Sequence, residues 1–430
     1  RGGHPAPTTV DGMVGALADL APRAGEGVRA LVVDGTAVHD SGASDVVEVA
    51  YLLAVGTAYL RSLVTHGLSA EDAASLVEFR LAATDEQFPT IAKLRAARLV
   101  WSRVAEVCGV PAGHGGMVQH AVTSAPMTTR FDPWTNLLRG TVAAFAAGVG
   151  GATAVTVLPF DHAIGQPDAF SRRIARNTSS LLIQEAHVAV VTDPAGGSYA
   201  VERLTADLAS AAWALFQRIE AAGGILAGGW DVVGEAVTGV AGRRDDLVAR
   251  RRLAVTGVSE FPLLHETLPT REPFPEEAPR VRSYAHAFEE LRSAPAAAPV
   301  FLATMGTVAQ HTPRATFMAN LLAAGGVDTV TAGPTSGVGD VLAGYDRERV
   351  VCLAGPDAAY AEWGAELAEA LRSAGAATVL VAGRPVEWAD DSAATGDDAL
   401  AFLHRTRTAL GDDPAGSLAA AADPTEGADR

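Results

Sequence analysis

The residues of this 430-residue chain best suited to chemistry are its eleven histidines, two cysteines and one lysine. His311 stands out, in the stretch "TMGTVAQHTPRATF" (residues 304–317), where an apolar run ends in glycine and a helical pattern follows. An imidazole just past a strand end suits a metal or cofactor ligand, because neutral histidine donates a ring nitrogen near physiological pH. Beside Thr312 and Pro313 the same residue also fits a solvated turn. The histidines form no HExxH pattern and no close Cys/His spacing of a zinc site. His114 and His120 flank a strand start and read as structural. "AGGILAGGWD" and "TAGPTSGVGD" are glycine-rich, but neither is a P-loop or a GxGxxG turn. Arg172, Arg173 and Arg176 cluster on one predicted helix and read as a solvated or subunit-facing basic patch. Lys93 stands alone against 32 arginines, so the chain has almost no lysine for base, Schiff-base or phosphate-binding roles. Its place in a helix, followed by Arg95 and Arg98, suits the surface.

These residues must be held by alternating strands and helices. Residues 28–35, "VRALVVDG", form the nearly continuous apolar run of a buried parallel strand. A helix is expected over 44–66 and a strand over 76–83. A long helix follows, capped by Thr84 or Asp85, with Phe88, Ile91, Leu94, Trp101 and Val104 on its apolar face and Gly109 closing it. Strands in "MVQHAVTS", "ATAVTVLPF" and "HVAVVTDPAGGSY" alternate with helices over 132–147, 170–185 and 204–222. Such alternation implies a parallel sheet or barrel with right-handed crossovers. Five strands are too few for a closed eight-stranded barrel, so the sheet is open or the front of a barrel is missing.

Seven prolines between 261 and 299 mark a linker, with one short helix in "SYAHAFEELRS". A second α/β block then begins, with strands in "APVFLATMG", "VDTVTAG", "RVVCLAG" and "ATVLVAG" and its first helix starting at Arg314. The expected division is a partial barrel over 1–260, a linker over 261–299, a small flavodoxin-like α/β domain over 300–412 and a disordered tail over 413–430.

A net charge of −17 and the lack of a basic, aromatic-interleaved stripe argue against nucleic acid and anionic membrane surfaces as partners. No apolar run reads as a membrane span. Cys108 and Cys352 lie far apart and read as buried thiols in a reducing compartment, which makes the cytoplasm the expected location.

The block from "HAVTSAPMTTRFDPWTNLLRGTVAAFAAGVGGATAVTVLPFDHAIGQPDAFSRRIARN" through "DPAGGSYAVERLTADLA", with "FPTIAKLRAARLVW" upstream, closely resembles the adenosylcobalamin-dependent acyl-CoA mutases, above all the methylmalonyl-CoA mutase family. The resemblance implies a TIM-type (β/α) barrel, here its C-terminal half, followed by a cobalamin-domain-like Rossmann fold.

Catalytic members carry Lys-x-x-x-Asp-x-His-x-x-Gly at the head of the lower domain. In register, this chain places Thr304, Val308, Gln310 and Pro313 there, and His311 lies one residue beyond the cobalt-ligand position. The Tyr-His pair that meets the thioester corresponds to Thr36 and Ala37, with His39 two residues on. "HTQTS" becomes "HAVTS", keeping His120 and placing Val122 for glutamine. "HTNALDEA" becomes "TVLPFDHA", with Leu158 for asparagine and His162 for glutamate.

Ligating and hydrogen-bonding groups are thus replaced in both blocks while the scaffold glycines persist. This pattern is that of a small, non-catalytic subunit, which binds no cofactor and stabilises a large catalytic chain holding adenosylcobalamin and acyl-CoA in a heterodimer. Two alternatives follow from the same residues: an active mutase of altered substrate range with His311 as displaced cobalt ligand, and a regulatory binding module for a related mutase.

Overall fold

The protein, a computed structural model, is described over residues 16, 28–275 and 281–412. Residues 413–430, expected as a disordered tail, lie outside the described residues. The chain divides into two compact units: residues 1–129, 133–243 and 269–283 form the first, and residues 130–132, 244–268 and 284–430 the second.

The first unit is built on four parallel strands in sequential order: β1 (Leu31–Asp34), β2 (Val77–Ala83), β3 (Val118–Thr123) and β4 (Ala154–Thr156). Helix α1 (Thr36–Asp40) follows β1, and α2 (Asp45–Thr65) starts on Ser44, whose side chain accepts a hydrogen bond from the Val47 amide. A short α3 (Ala70–Ser75) precedes β2, and α4 (Gln87–Val107) follows it. Val33, Leu52, Phe79, Leu81, Ile91, Leu94 and Trp101 fill the space between this sheet and its helices. Phe79 and Trp101 meet edge to face, with centroids 4.5 Å apart, a geometry worth about 1 kcal/mol beyond burial.

Three expectations change here. The N-cap of α4 is Glu86, while Thr84 hydrogen-bonds Thr90, and Phe88 points to solvent. The strand expected in 187–199 does not form: β4 has three residues, its outer edge pairs with no strand among the described residues, and Val190 and Val191 are exposed. An extended segment without a ladder partner leaves its backbone groups to water. Helix α2 is long and apolar enough to qualify as a membrane span by length and hydropathy. Most of that stretch is buried in the core, and it carries the fully buried Glu48, so it is a core helix.

Helices α5 (Thr135–Val149), α6 (Ala169–Gln184) and α7 (Tyr199–Ala221) complete the first unit. A further helix, α8 (Gly229–Ala249), begins inside a glycine-rich stretch that gave no helical signal.

In the second unit, α9 (His286–Ser293) contributes Phe288 and Leu291 to the core. Its five parallel strands are β5 (Val300–Thr304), β6 (Thr329–Thr331), β7 (Val350–Ala354), β8 (Thr378–Ala382) and β9 (Asp391–Ala393), in the order β6-β5-β7-β8-β9. Counted within the unit this is 2-1-3-4-5, the order of doubly wound flavodoxin-like sheets. Both faces of the central strands β5, β7 and β8 are covered, so these three are largely apolar: Leu302, Cys352 and Leu380 face one cluster, and Phe301, Val351 and Val379 the other. The polar strand β9, "DSA", carried no strand signal.

Helix α10 spans Val308–Ala324, six residues earlier than the expected start. Thr307 and Gln310 form a capping box that nucleates the helix ahead of Pro313, which sits inside it and forgoes one internal hydrogen bond.

Candidate functional site

Parallel strands deliver their C-terminal ends to one side of a sheet, and loops there carry the chemistry of α/β proteins. In the first unit the structure brings five of the positions singled out in the sequence to that end. Thr36 follows β1, where its amide and hydroxyl both bond the Asp34 carboxylate at 3.0 and 2.6 Å. Arg80 donates to the other Asp34 oxygen at 2.8 Å. Ala37 is exposed and offers only a methyl group. Val122 is half-buried on β3, and Leu158 follows β4, its amide donating to Thr123 Oγ1 at 2.8 Å. His162 is half-buried against the edge of Phe274, and burial lowers its pKa with Asp161 opposing. His120, lower on β3, bonds Thr156 Oγ1 at 2.8 Å and lies 3.6 Å from Glu78.

Beneath this rim is a polar network that the sequence did not reveal. Lys93, expected on the surface, is fully buried. Its Nζ lies 2.8 Å from both Asp45 Oδ1 and Glu48 Oε2. Glu48 Oε1 accepts the Ala82 amide at 2.7 Å, and Glu48 Oε2 is 3.7 Å from His39 Nδ1. His39 Nε2 sits 2.7 Å from Ser124 Oγ. Ser124, His39 and Glu48 thus follow the order of nucleophile, base and orienting acid. All three are closed off from solvent, and the network ties α1, α2 and α4 to the strand ends. Two signals for it were available: a lone lysine in an arginine-only chain, and a glutamate inside the apolar run "DVVEVAYLLAV".

In the second unit the switch point of the sheet lies between the ends of β5 and β7, where ligands of doubly wound folds bind. The β5–α10 loop occupies it. Thr304 is buried, its hydroxyl donating to the Gly333 carbonyl. Val308 is exposed. Gln310 is turned back onto its own helix start, Oε1 accepting the Thr307 amide at 2.8 Å and hydroxyl at 2.9 Å. Gly306 has φ +93°, and a Cβ there would meet Gln310 Oε1 at 2.7 Å, so the turn requires glycine. His311 is not a solvated turn residue: it is only 7% exposed, with Nδ1 3.2 Å from the Gly306 carbonyl. The early start of α10 places it on the helix and turns its ring inward.

The crevice itself is filled. Met305 is fully buried against Gly355, where a Cβ would come within 2.6 Å of the Met305 Cβ. The Tyr360 hydroxyl accepts the Gly355 amide at 3.1 Å and lies 3.0 and 2.9 Å from the Leu353 and Ala382 carbonyls. Burial pushes that hydroxyl up to about 12, so it stays protonated. Arg314 lies over the Tyr360 ring at 4.9 Å and donates to the Gly355 carbonyl at 2.6 Å. At this loop Gln310 is engaged in a cap, Val308 and Pro313 offer no ligating side-chain atom, and the buried Met305 and Tyr360 side chains pack beside them. Elsewhere in this unit a cavity of about 170 Å³ lies between Arg251, Phe317 and Phe402, smaller than the ~300 Å³ at which cofactor-sized pockets begin. Among the described residues no group of three or more His, Cys, Asp or Glu is arranged around a metal position.

Comparison with known proteins accounts for this scaffold. The methylmalonyl-CoA mutase family model matches residues 9–337. A methylmalonyl-CoA mutase small subunit from Streptomyces virginiae is 51% identical over 417 residues, covering 92% of this chain and 67% of the relative. A probable small subunit from Mycobacterium bovis is 46% identical over 394 residues, covering 88% and 63%. The small subunit from Propionibacterium freudenreichii is 39% identical over 411 residues, covering 91% and 63%. This chain spans about two thirds of the length of these relatives. With the family model matched over most of its length and both parallel sheets in place, the chain belongs to the methylmalonyl-CoA mutase family.

Proposed function

We propose that this chain acts as the non-catalytic small subunit of a cytoplasmic, heterodimeric methylmalonyl-CoA mutase. It stabilises a large subunit that holds adenosylcobalamin and interconverts methylmalonyl-CoA and succinyl-CoA. On this reading the four-stranded sheet is part of a (β/α) barrel, and the second unit is a cobalamin-domain-like fold that has lost its ligand. The observation that carries the proposal is the closed switch point: Gln310 caps its own helix, and Met305 and Tyr360 fill the crevice beside it. The small-subunit names of the relatives support the same reading.

The first unit supports it as well. Thr36, Ala37, Val122 and Leu158 supply no free acid, base or carbonyl-orienting donor at the strand ends, since the Thr36 hydroxyl is engaged by Asp34. An active mutase using His311 would need that ring released from beneath Gly306.

The test is a titration with adenosylcobalamin, following the cobalamin absorption spectrum, on this chain alone, on the large subunit and on their mixture. The expected outcome is no spectral change with this chain alone and turnover of methylmalonyl-CoA only when the large subunit is present. A change with the isolated chain that His311→Ala abolishes would favour the active, displaced-ligand enzyme instead.

A further inference from the structure

A surface of the first unit that the proposed role has not yet used combines arginines with exposed aromatic rings. Helix α6 contains Arg172, Arg173 and Arg176 and no acidic residue over its sixteen positions. All three arginines are exposed, and none is ion-paired with a carboxylate among the described residues. The chain carries a net charge of −17, and other arginines such as Arg61, Arg80, Arg95, Arg203 and Arg271 do have carboxylate partners.

Beside them runs a chain of rings. Trp134, at the start of α5, stacks on Phe160 with centroids 4.7 Å apart. Phe160 meets the edge of Phe170 on α6 at 6.4 Å, and the Arg173 guanidinium lies 5.5 Å above the Phe170 ring. Phe160 is buried, but Trp134 and Phe170 are 53% and 45% exposed. Leu138 follows Trp134 by one helical turn and is 69% exposed, extending the apolar strip along α5. Tryptophan and arginine around an apolar centre are the residues that dominate binding energy at protein interfaces. An acidic surface of a partner would neutralise cations that this chain leaves unneutralised.

We propose that this α5–α6 face, Trp134, Leu138 and Phe170 with Arg172, Arg173 and Arg176, docks an acidic, apolar-bearing segment of the large mutase subunit. The inference rests on the small-subunit reading and names the surface through which that subunit is engaged. The rings supply desolvated contact area, and the arginines set orientation and association rate.

The experiment measures the affinity of this chain for the purified large subunit by isothermal titration calorimetry at low and high salt. Wild type is compared with the triple variant Arg172→Glu/Arg173→Glu/Arg176→Glu and with Trp134→Ala, each checked for native circular dichroism. The inference expects each variant to bind at least about tenfold more weakly, as hot-spot and charge-pair losses do, and wild-type affinity to fall with salt. If the triple variant does not fold, Arg173→Ala and the wild-type salt dependence give the same readout. Folded variants that bind as wild type does overturn the docking face and leave the subunit reading standing. Failure of wild type to bind the large subunit overturns both. Inorganic phosphate or ADP binding stoichiometrically to wild type and not to the triple variant, with large-subunit affinity unchanged, reassigns the arginines to a small anion and overturns the proposal.

Discussion

The ammonium of Lys93 lies 2.8 Å from the Glu48 carboxylate, and both side chains are fully buried. The two partners answer that burial differently. Two carboxylates at contact distance hold Lys93 protonated, its pKa raised although burial opposes this. Glu48 is pushed up to about 7, because burial outweighs the attraction of Lys93 and the Ala82 amide, and Asp45 adds repulsion. Removing Lys93 leaves two acids facing each other without a cation. Lys93→Met is therefore expected to cost about 3–5 kcal/mol at pH 8, the usual loss on breaking a buried pair. The cost shrinks at pH 5.5, where Glu48 can take a proton. Urea midpoints at the two pH values check both statements.

The sign of the pH dependence follows from the direction of the Glu48 shift. A carboxyl with a folded pKa of about 7 against an ordinary 4.5 binds a proton more readily in the folded protein. Its contribution favours folding at low pH and is lost as pH rises through about 7. Asp40, raised to about 6 by burial and by Asp34, acts in the same sense. Glu48→Gln keeps the oxygen that accepts the Ala82 amide and cannot ionise. The wild-type urea midpoint is expected to fall between pH 5 and pH 8, with Glu48 accounting for up to about 3 kcal/mol. The slope of the Glu48→Gln variant should be flatter. Equal slopes would assign the pH dependence to other groups.

Alternation of strands and helices was legible in the sequence because apolar runs such as "VRALVVDG" and "RVVCLAG" carry their own signal. Where local pattern and tertiary context disagree, context decided. Residues 187–198, within the stretch expected as a strand, have no ladder partner and stay irregular. Lys93 looks like a surface residue until Asp45 and Glu48, more than forty positions away, are folded onto it. His311 was misplaced for a local reason: the Thr307–Gln310 capping box starts α10 ahead of Pro313 and carries the histidine inward. The expectation that Gln310 and Val308 stand where a ligand would be came from register alone, whereas the packing of Met305 and Tyr360 beside them required coordinates.

The capping role of Gln310 can be separated from any ligand role. Gln310→Ala removes the acceptor for the Thr307 amide and hydroxyl and is expected to cost about 1 kcal/mol, the value of a helix cap. Gln310→His removes the same cap and places an imidazole where the proposed reading expects a cobalt ligand to have been lost. It should be comparably destabilised and still give no cobalamin spectral change, because the crevice stays filled. Thermal unfolding and the cobalamin titration read the two effects independently.

Tyr360 closes that crevice through one oxygen. Tyr360→Phe preserves the ring under Arg314 but strips the hydroxyl that serves the Gly355 amide and faces the Leu353 and Ala382 carbonyls. Buried backbone groups left without partners cost about 1–3 kcal/mol, so a loss in that range is expected in chemical denaturation. Faster hydrogen exchange should concentrate at the ends of β7 and β8. A loss spread evenly through the second unit would contradict the local role given to this hydroxyl.

Gly56 sets helix propensity against packing on α2. Alanine in a helix interior is favoured over glycine by about 1 kcal/mol. Here the added Cβ would fall 2.7 Å from Trp101 Cζ3 and 3.1 Å from Phe79. The Trp101 ring has little room to yield: its Nε1 donates to the Gly115 carbonyl at 3.1 Å, and it meets Phe79 edge to face. Overpacking a closed core costs about 1–3 kcal/mol, so Gly56→Ala is expected to be net destabilising by about 1 kcal/mol despite the propensity gain. Trp101 fluorescence should shift with it, reporting the displaced ring. A stabilised variant with unchanged emission would mean that α2 moves away from the sheet more easily than this packing implies.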